Sequence, residues 1–322
     1  MTQLAPFDPL PRPEGPDGAP RRVGAELEFG GLTPETAAEV VTEVLGGSAL
    51  PDGTDVWVVT GTALGAFRVE LDTALKADGT DLERLGRSVA RPVIPVELVC
   101  PPVEVDDLPA LDRLARALAD AGAEGTRASA LFAYGMHYNI GCATFDAGYL
   151  HSVIRAFAFL EDLLRHRFEI DIARRALPFV DPYPRAFVDA LATQPAPADG
   201  AALARLYLMH NPTRNRALDM MPVLALAHRD QIDRVLGPGN PVSARPAFHF
   251  RLPDCRLDEP GWTMADAWNR WVLVERVADA GGVLETLAGD WRAHRHSWTT
   301  VRGDWWPLVR SRLDEAGLWT DC

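Results

Sequence analysis

Val23-Gly-Ala-Glu-Leu-Glu-Phe29 alternates apolar side chains with carboxylates, a period of two that fits a pleated strand buried on one face. Glu26 and Glu28 then project from one side, and Ala25, Leu27 and Phe29 from the other. The same division recurs along the chain. Strands are predicted at Val56–Val59, Phe67–Asp72 and Val93–Val99, bounded by Gly, Asp or Pro breakers. In Tyr134–Cys142, His137 and Asn139 share a face with Gly135 and Gly141, opposite Met136, Tyr138 and Ile140. A last strand is expected at Ala247–Leu252.

Helical spacing separates these strands. Thr33 is a good N-cap before Pro34, with Ala37, Val40, Val41 and Val44 on one face and Gly46-Gly47 as the stop. Asp107 is expected to cap a helix carrying Leu108, Leu111, Leu114 and Leu118, and a long amphipathic helix starts near Asp146. Shorter helices follow to about residue 237, and another runs from about Met264 to Ala280. Without regular βαβ alternation, the economical fold class is α+β with a mainly antiparallel sheet.

The 322 residues, 47% apolar and 24% charged, suit one large globular domain and exclude a disordered or collagen-like chain. The expected division is a flexible arm over 1–20, rich in Pro and Gly, a catalytic domain over 21–290 and a Trp-rich helical tail over 291–322. Trp305 and Trp306 cannot both be buried on one helical face, which makes the tail the expected contact in a homo-oligomer. A net charge of −13 repels nucleic-acid phosphates and anionic lipid, so neither nucleic acid nor membrane is an expected partner. The N-terminus lacks the order of a secretory signal and no run of about 18 apolar residues occurs, so a cytoplasmic location is expected. Cys100, Cys142, Cys255 and Cys322 form no Cys-x-x-Cys pair and read as free thiols.

Glu26 and Glu28 would stand roughly 6–7 Å apart on one strand face, and carboxylates so close repel unless a cation lies between them. Alone, such a pair is an ordinary wet strand face. Repetition changes this: Glu70 with Asp72, Glu97, His137 with Asn139, and His249 with Arg251 each lie opposite an apolar face. Oxygen ligands with one or two imidazoles suit Mg²⁺ or Mn²⁺ better than a structural zinc. No Walker-type phosphate loop is present, and Gly61-Thr-Ala-Leu-Gly65 is too weak to stand for one.

Six segments stand in a characteristic order: Gly24-Ala-Glu26-Leu-Glu28-Phe29, Val69-Glu-Leu-Asp72-Thr-Ala-Leu75, Glu97-Leu-Val-Cys-Pro-Pro102, Tyr134-Gly-Met-His137-Tyr-Asn139, Arg214-Asn-Arg216-Ala-Leu-Asp219 and Phe248-His249-Phe250-Arg251. From about Arg22 to about Ala280 the chain thereby resembles the amidoligase family, ATP-dependent carboxylate-amine ligases similar to glutamine synthetase and glutamate-cysteine ligase. Four of these segments depart from the family pattern. Asn139 replaces the second histidine of a His-x-His pair, Thr73-Ala74 a Gly-Ser, Asp219 an asparagine, and His249 a glutamate that would ligate metal.

The resemblance implies a glutamine-synthetase-like curved sheet with helices on its convex face and two divalent cations on its concave one. It implies ATP and two Mg²⁺ or Mn²⁺ ions as cofactors, with amide formation through an acyl phosphate between a small-molecule acid and an amine or peptide. Glu28, Glu97 and Asp72 would hold one ion, and Glu26, His137 and His249 the other. Glu26, Glu28 and Arg251 would be the catalytic residues, and Arg216 and Arg251 would bind ATP phosphates, with Arg214 an alternate for Arg216. The departures leave two other readings open: a degenerate member that binds nucleotide or peptide without turnover, and a metal-dependent hydrolase. A ligase needs both acid and amine to release ADP, the hydrolase needs no ATP, and the binder gives no product.

Overall fold

The computed structural model describes residues 6–72, 94–128, 133–176, 180–296 and 302–319. Among these, nine strands form one sheet: β1 (Arg22–Phe29), β2 (Ser48–Pro51), β3 (Val56–Thr62), β4 (Gly65–Leu71), β5 (Val96–Val99), β6 (Val103–Glu104), β7 (Met136–Gly141), β8 (Leu218–Asp219) and β9 (Ala247–Phe250). Their order is β2-β3-β4-β5-β1-β7-β9-β8, with β6 also on β1, and every pairing is antiparallel. The fold is α+β, as the irregular alternation of elements predicts.

Ten helices accompany the sheet among the described residues: α1 (Pro34–Leu45), α2 (Leu108–Asp120), α3 (Ala147–Phe168), α4 (Ile172–Ala176), α5 (Arg185–Thr193), α6 (Gly200–His210), α7 (Met221–Leu236), α8 (Met264–Asp279), α9 (Gly281–His296) and α10 (Trp305–Glu315). Thr33 caps α1 by accepting from the Thr36 amide at 3.2 Å, and Asp146 caps α3 through the Tyr149 amide at 3.1 Å. Asp107, by contrast, makes no side-chain cap. A 3-10 turn over Val105–Asp107 runs straight into α2, so the aspartate already has helical backbone angles and cannot reach back to an amide.

The sheet's apolar face is covered by helices. Ala25, Leu27 and Phe29 are fully buried in the core with Met136, Tyr138 and Ile140. The Tyr138 hydroxyl donates to the Met264 carbonyl at 3.0 Å, its ring meets Trp268 edge-on, and Phe248 and Phe250 lie against Trp271 of α8. Helix α1 packs on β3 and β4, and α3 packs on α8.

Among the described residues 6–20, the N-terminal segment is held to α8 rather than free, and residues 1–5 of the expected arm lie outside the described residues. Asp8 donates its amide to Asn269 Oδ1 at 2.8 Å and accepts from Trp268 Nε1 at 2.7 Å, and Leu10 is buried in the core. Prolines remove amide donors, yet the carbonyls and side chains of this stretch still find partners on α8. At its end Arg21 makes a two-pronged ion pair with Glu275, at 2.8 and 2.6 Å, and Trp271 Nε1 donates to the same carboxylate at 2.8 Å. The C-terminal helices are likewise packed rather than displayed. Trp305 is wholly buried and donates Nε1 to the Phe159 carbonyl at 2.9 Å, while the half-buried Trp306 stacks on His166 at 3.9 Å. One tryptophan per face is thus accommodated within the chain.

Cys100, Cys142 and Cys255 are free and buried, and Cys322 lies outside the described residues, as do Thr73–Leu75 of the second family-like segment. No helix among the described residues is long and apolar enough to cross a membrane.

The Arg21–Glu275 pair tests how the start of β1 is held to α8. Glu275→Ala leaves a guanidinium buried without its counter-charge and should cost about 3–5 kcal/mol in denaturant unfolding. A loss no larger than that of Trp271→Phe, which removes the indole's bond to the same carboxylate, would show that the Arg21 pair holds nothing.

Candidate active site

Antiparallel registration gathers the polar positions. Glu26 pairs across β1–β7 with His137, and Glu28 across β1–β5 with Glu97. Asn139 faces His249 across β7–β9, and His249 faces Asp219 across β8–β9. Because side chains alternate along each strand, these cross-strand partners share the face opposite the helices.

The geometry is tight. His137 Nδ1 lies 2.9 Å from Glu26 Oε2, and its Nε2 lies 3.6 Å from Glu28 Oε1. Asn139 Nδ2 donates to Glu26 Oε1 at 2.8 Å, and His249 Nε2 is 3.7 Å from Glu26 Oε2. Glu28 Oε2 accepts from the Gly135 amide at 2.6 Å. Gly135 is required by crowding: a Cβ there would stand 2.6 Å from Arg174 Nη2 and 2.8 Å from His137 Nε2. Two groups result, Glu26–His137–His249 and Glu28–Glu97–His137, each with ligand atoms within 4.8 Å of one another. Either could hold a metal ion. Asp72, expected beside Glu97, belongs to neither group.

Electrostatics follow from burial. Burial favours the neutral form of Glu26, but its contacts with His137 and His249 outweigh it and hold the carboxyl well below the usual range. Burial also lowers the His137 pKa, against the pull of Glu26 and Glu28, so the ring is neutral near pH 7. An ionised Glu26 can only accept, which puts the His137 proton on Nδ1. The Nε2 lone pair therefore faces the Glu28 carboxyl, an arrangement that a cation between them relieves. Glu97 is pushed up to about 9 by burial and then by the charges of Glu26, Glu28, Asp72 and Glu70.

Arginines border the cluster on its β8–β9 side. Arg251 donates Nη1 to the Arg214 carbonyl at 2.9 Å, and its buried Nε has no hydrogen-bond partner. Arg214 Nε approaches Asp219 Oδ2 at 3.4 Å, and Arg245 approaches Glu26 Oε1 at 3.6 Å. Arg216 is not brought here. Its guanidinium is directed to Asn211 Oδ1 at 2.9 Å and the Pro182 carbonyl at 3.2 Å.

Two residues of this border carry no signal in the sequence. Arg174 comes from α4, too short for any periodicity, and its buried head bonds the Leu252 and Pro253 carbonyls, Asp254 and the Arg251 carbonyl. Arg245 comes from a proline-bounded loop. Only contacts between distant segments reveal either one.

A family model described as "Putative amidoligase enzyme" matches residues 19–273. The chain belongs to this family. The description is of a ligase-type enzyme, and the matched span covers every residue of both metal-capable groups and stops within α8. No curated protein matches the chain.

The raised Glu97 makes a pH prediction for the metal-free chain. Unfolded, the group ionises near its ordinary pKa, whereas folded it keeps its proton to about 9. Its stabilising contribution is therefore full below about pH 4 and lost as pH rises towards 9. Glu97→Gln should raise the melting temperature in EDTA at about pH 8 and flatten its fall from about pH 5, as read by thermal unfolding across that range. Identical pH profiles for both proteins would show that Glu97 is not protonated in the fold.

Proposed function

We propose that the chain is a cytoplasmic ATP-dependent carboxylate-amine ligase joining a small acid to an amine or peptide, on the concave face of a glutamine-synthetase-like curved sheet. The observation that carries this reading is the meeting, on one sheet face, of two metal-capable groups with a border of arginines. Family membership supports the reaction class. Two orphaned polar atoms match the substrates' counter-charges. The buried Nε2 of His249, without a hydrogen-bond partner, fits a cation, and the buried Nε of Arg251, equally unpartnered, fits an anionic oxygen.

In this reading Glu28, Glu97 and His137 would hold one divalent ion and Glu26 and His249 a second, with Mg²⁺ or Mn²⁺ as candidates. Bound there, such ions neutralise charge on a phosphoryl group in transfer. Arg251 and Arg214 orient anionic oxygens from the β8–β9 side through charge-assisted bonds. The acid's carboxylate attacks the γ-phosphorus and ADP leaves; the amine nitrogen then displaces phosphate from the acyl carbon, giving the amide. Glu26 fixes the His137 tautomer, and Gly135 fixes Glu28, so the face is organised before substrate arrives.

Glu28→Gln should lower ADP release at least about a hundredfold while leaving the melting temperature in EDTA unchanged or higher, since one of the crowded carboxylates becomes neutral. The assay requires both acid and amine: ADP release indifferent to the amine sinks the ligase reading. Arg214 and Arg216 separate in the same assay. Arg214→Ala should raise the KM for ATP, whereas Arg216→Ala should act on thermal stability, and the reverse pattern would restore Arg216 to the phosphate site.

A further inference from the structure

The two metal-capable groups share His137, and one imidazole cannot serve both. A neutral ring ligates through one nitrogen and keeps its proton on the other. The 2.9 Å contact with Glu26 fixes that proton on Nδ1, so the free lone pair on Nε2 belongs to the Glu28–Glu97 side. The Glu26 side then needs its own nitrogen ligand. His249 is built for it: the side chain is 9% exposed, and Nε2 is aimed at Glu26 Oε2 across 3.7 Å with no hydrogen-bond partner.

A carboxylate stands behind this imidazole. His249 Nδ1 lies 3.9 Å from Oδ2 of Asp219, a fully buried residue that is itself fixed by the Met221 amide at 2.9 Å and by Arg214 at 3.4 Å. A carboxylate behind the distal nitrogen is the arrangement that orients a ligating histidine and raises its basicity. The His137 ring meets His249 edge-on, with centroids 5.4 Å apart, so a second imidazole borders the same position. The other group offers two carboxyls and one ring nitrogen.

We propose that the face is chemically asymmetric. His249 and Glu26, backed by Asp219, form a position selective for a borderline transition ion such as Co²⁺, Zn²⁺ or Mn²⁺, distinct from an oxygen-rich position at Glu28, Glu97 and His137 Nε2 that takes Mg²⁺. Imidazole nitrogen favours the first class of ion and carboxylate oxygen the second. The proposal rests on reading this face as the ligase's cation site, but its test does not depend on turnover.

Full-length protein is stripped with EDTA and titrated with Co²⁺ in excess Mg²⁺, following visible absorption and isothermal heat. One equivalent of Co²⁺ should resist Mg²⁺ and show the absorption of a nitrogen-ligated ion. His249→Ala should weaken that equivalent at least about a hundredfold, Asp219→Asn about 10–100-fold, and Glu97→Gln under about threefold. Should His249→Ala lose the native circular dichroism, His249→Gln and Asp219→Asn carry the same test. Unchanged Co²⁺ affinity in the His249 and Asp219 variants would overturn the proposal, as would equal losses in the His249 and Glu97 variants, which mean one shared position. Selective Co²⁺ binding without ADP release would remove the ligase reading and leave the asymmetry standing.

Discussion

The registration of β1 against its two neighbours is the constraint on which the site depends. With Glu26 opposite His137 and Glu28 opposite Glu97, a single strand supplies a carboxylate to each group. A slip of one residue on either side would send those carboxylates into the packing of Tyr138 and Trp268 and the apolar residues to the open face. That penalty, spread over many buried side chains, holds the acidic face together even though its own charges push it apart. The fold therefore holds the site in place by what lies on the reverse side of the sheet.

The opposing charges are arranged across the face rather than mixed. Carboxyls crowd towards β4, β5 and β1, and arginines stand at β8, β9 and the adjoining loop. Burial, and then the crowding of carboxyls, makes Glu97 keep a proton, while Glu26 stays ionised because Asn139 and two imidazoles surround it. Low dielectric strengthens both effects. A divalent ion would reverse the balance at Glu97, so metal binding and proton release are coupled on this face.

Much of this was legible in the sequence because pleat alternation is a local property. Glu26, Glu28, His137 and His249 could each be assigned to a polar strand face from a handful of neighbours, and the α+β class followed from the irregular succession of elements. What failed was longer in range or shorter in signal. Arg216 and Arg214 differ by two positions in an irregular segment, so local pattern does not separate them, whereas hydrogen bonds tie Arg216 to Asn211 and Pro182. Asp107 looked like a cap because composition does not report the 3-10 turn before α2. Residues 6–20 looked detached because prolines hide the partners that α8 provides.

That last clasp also bears on how the chain is made. Arg21 and Glu275 are 254 positions apart, and β1, near the start, needs β7 on one side and β5 on the other. A ribosome delivers β1 before either partner, so both of its edges wait unpaired until β5 and then β7 have emerged. Such separations favour slow closure and an interval of exposure to aggregation. The buried pair between Arg21 and Glu275 can close only after α8 has been made, which makes the stretch from β1 to α8, rather than any shorter part of it, the unit that folds.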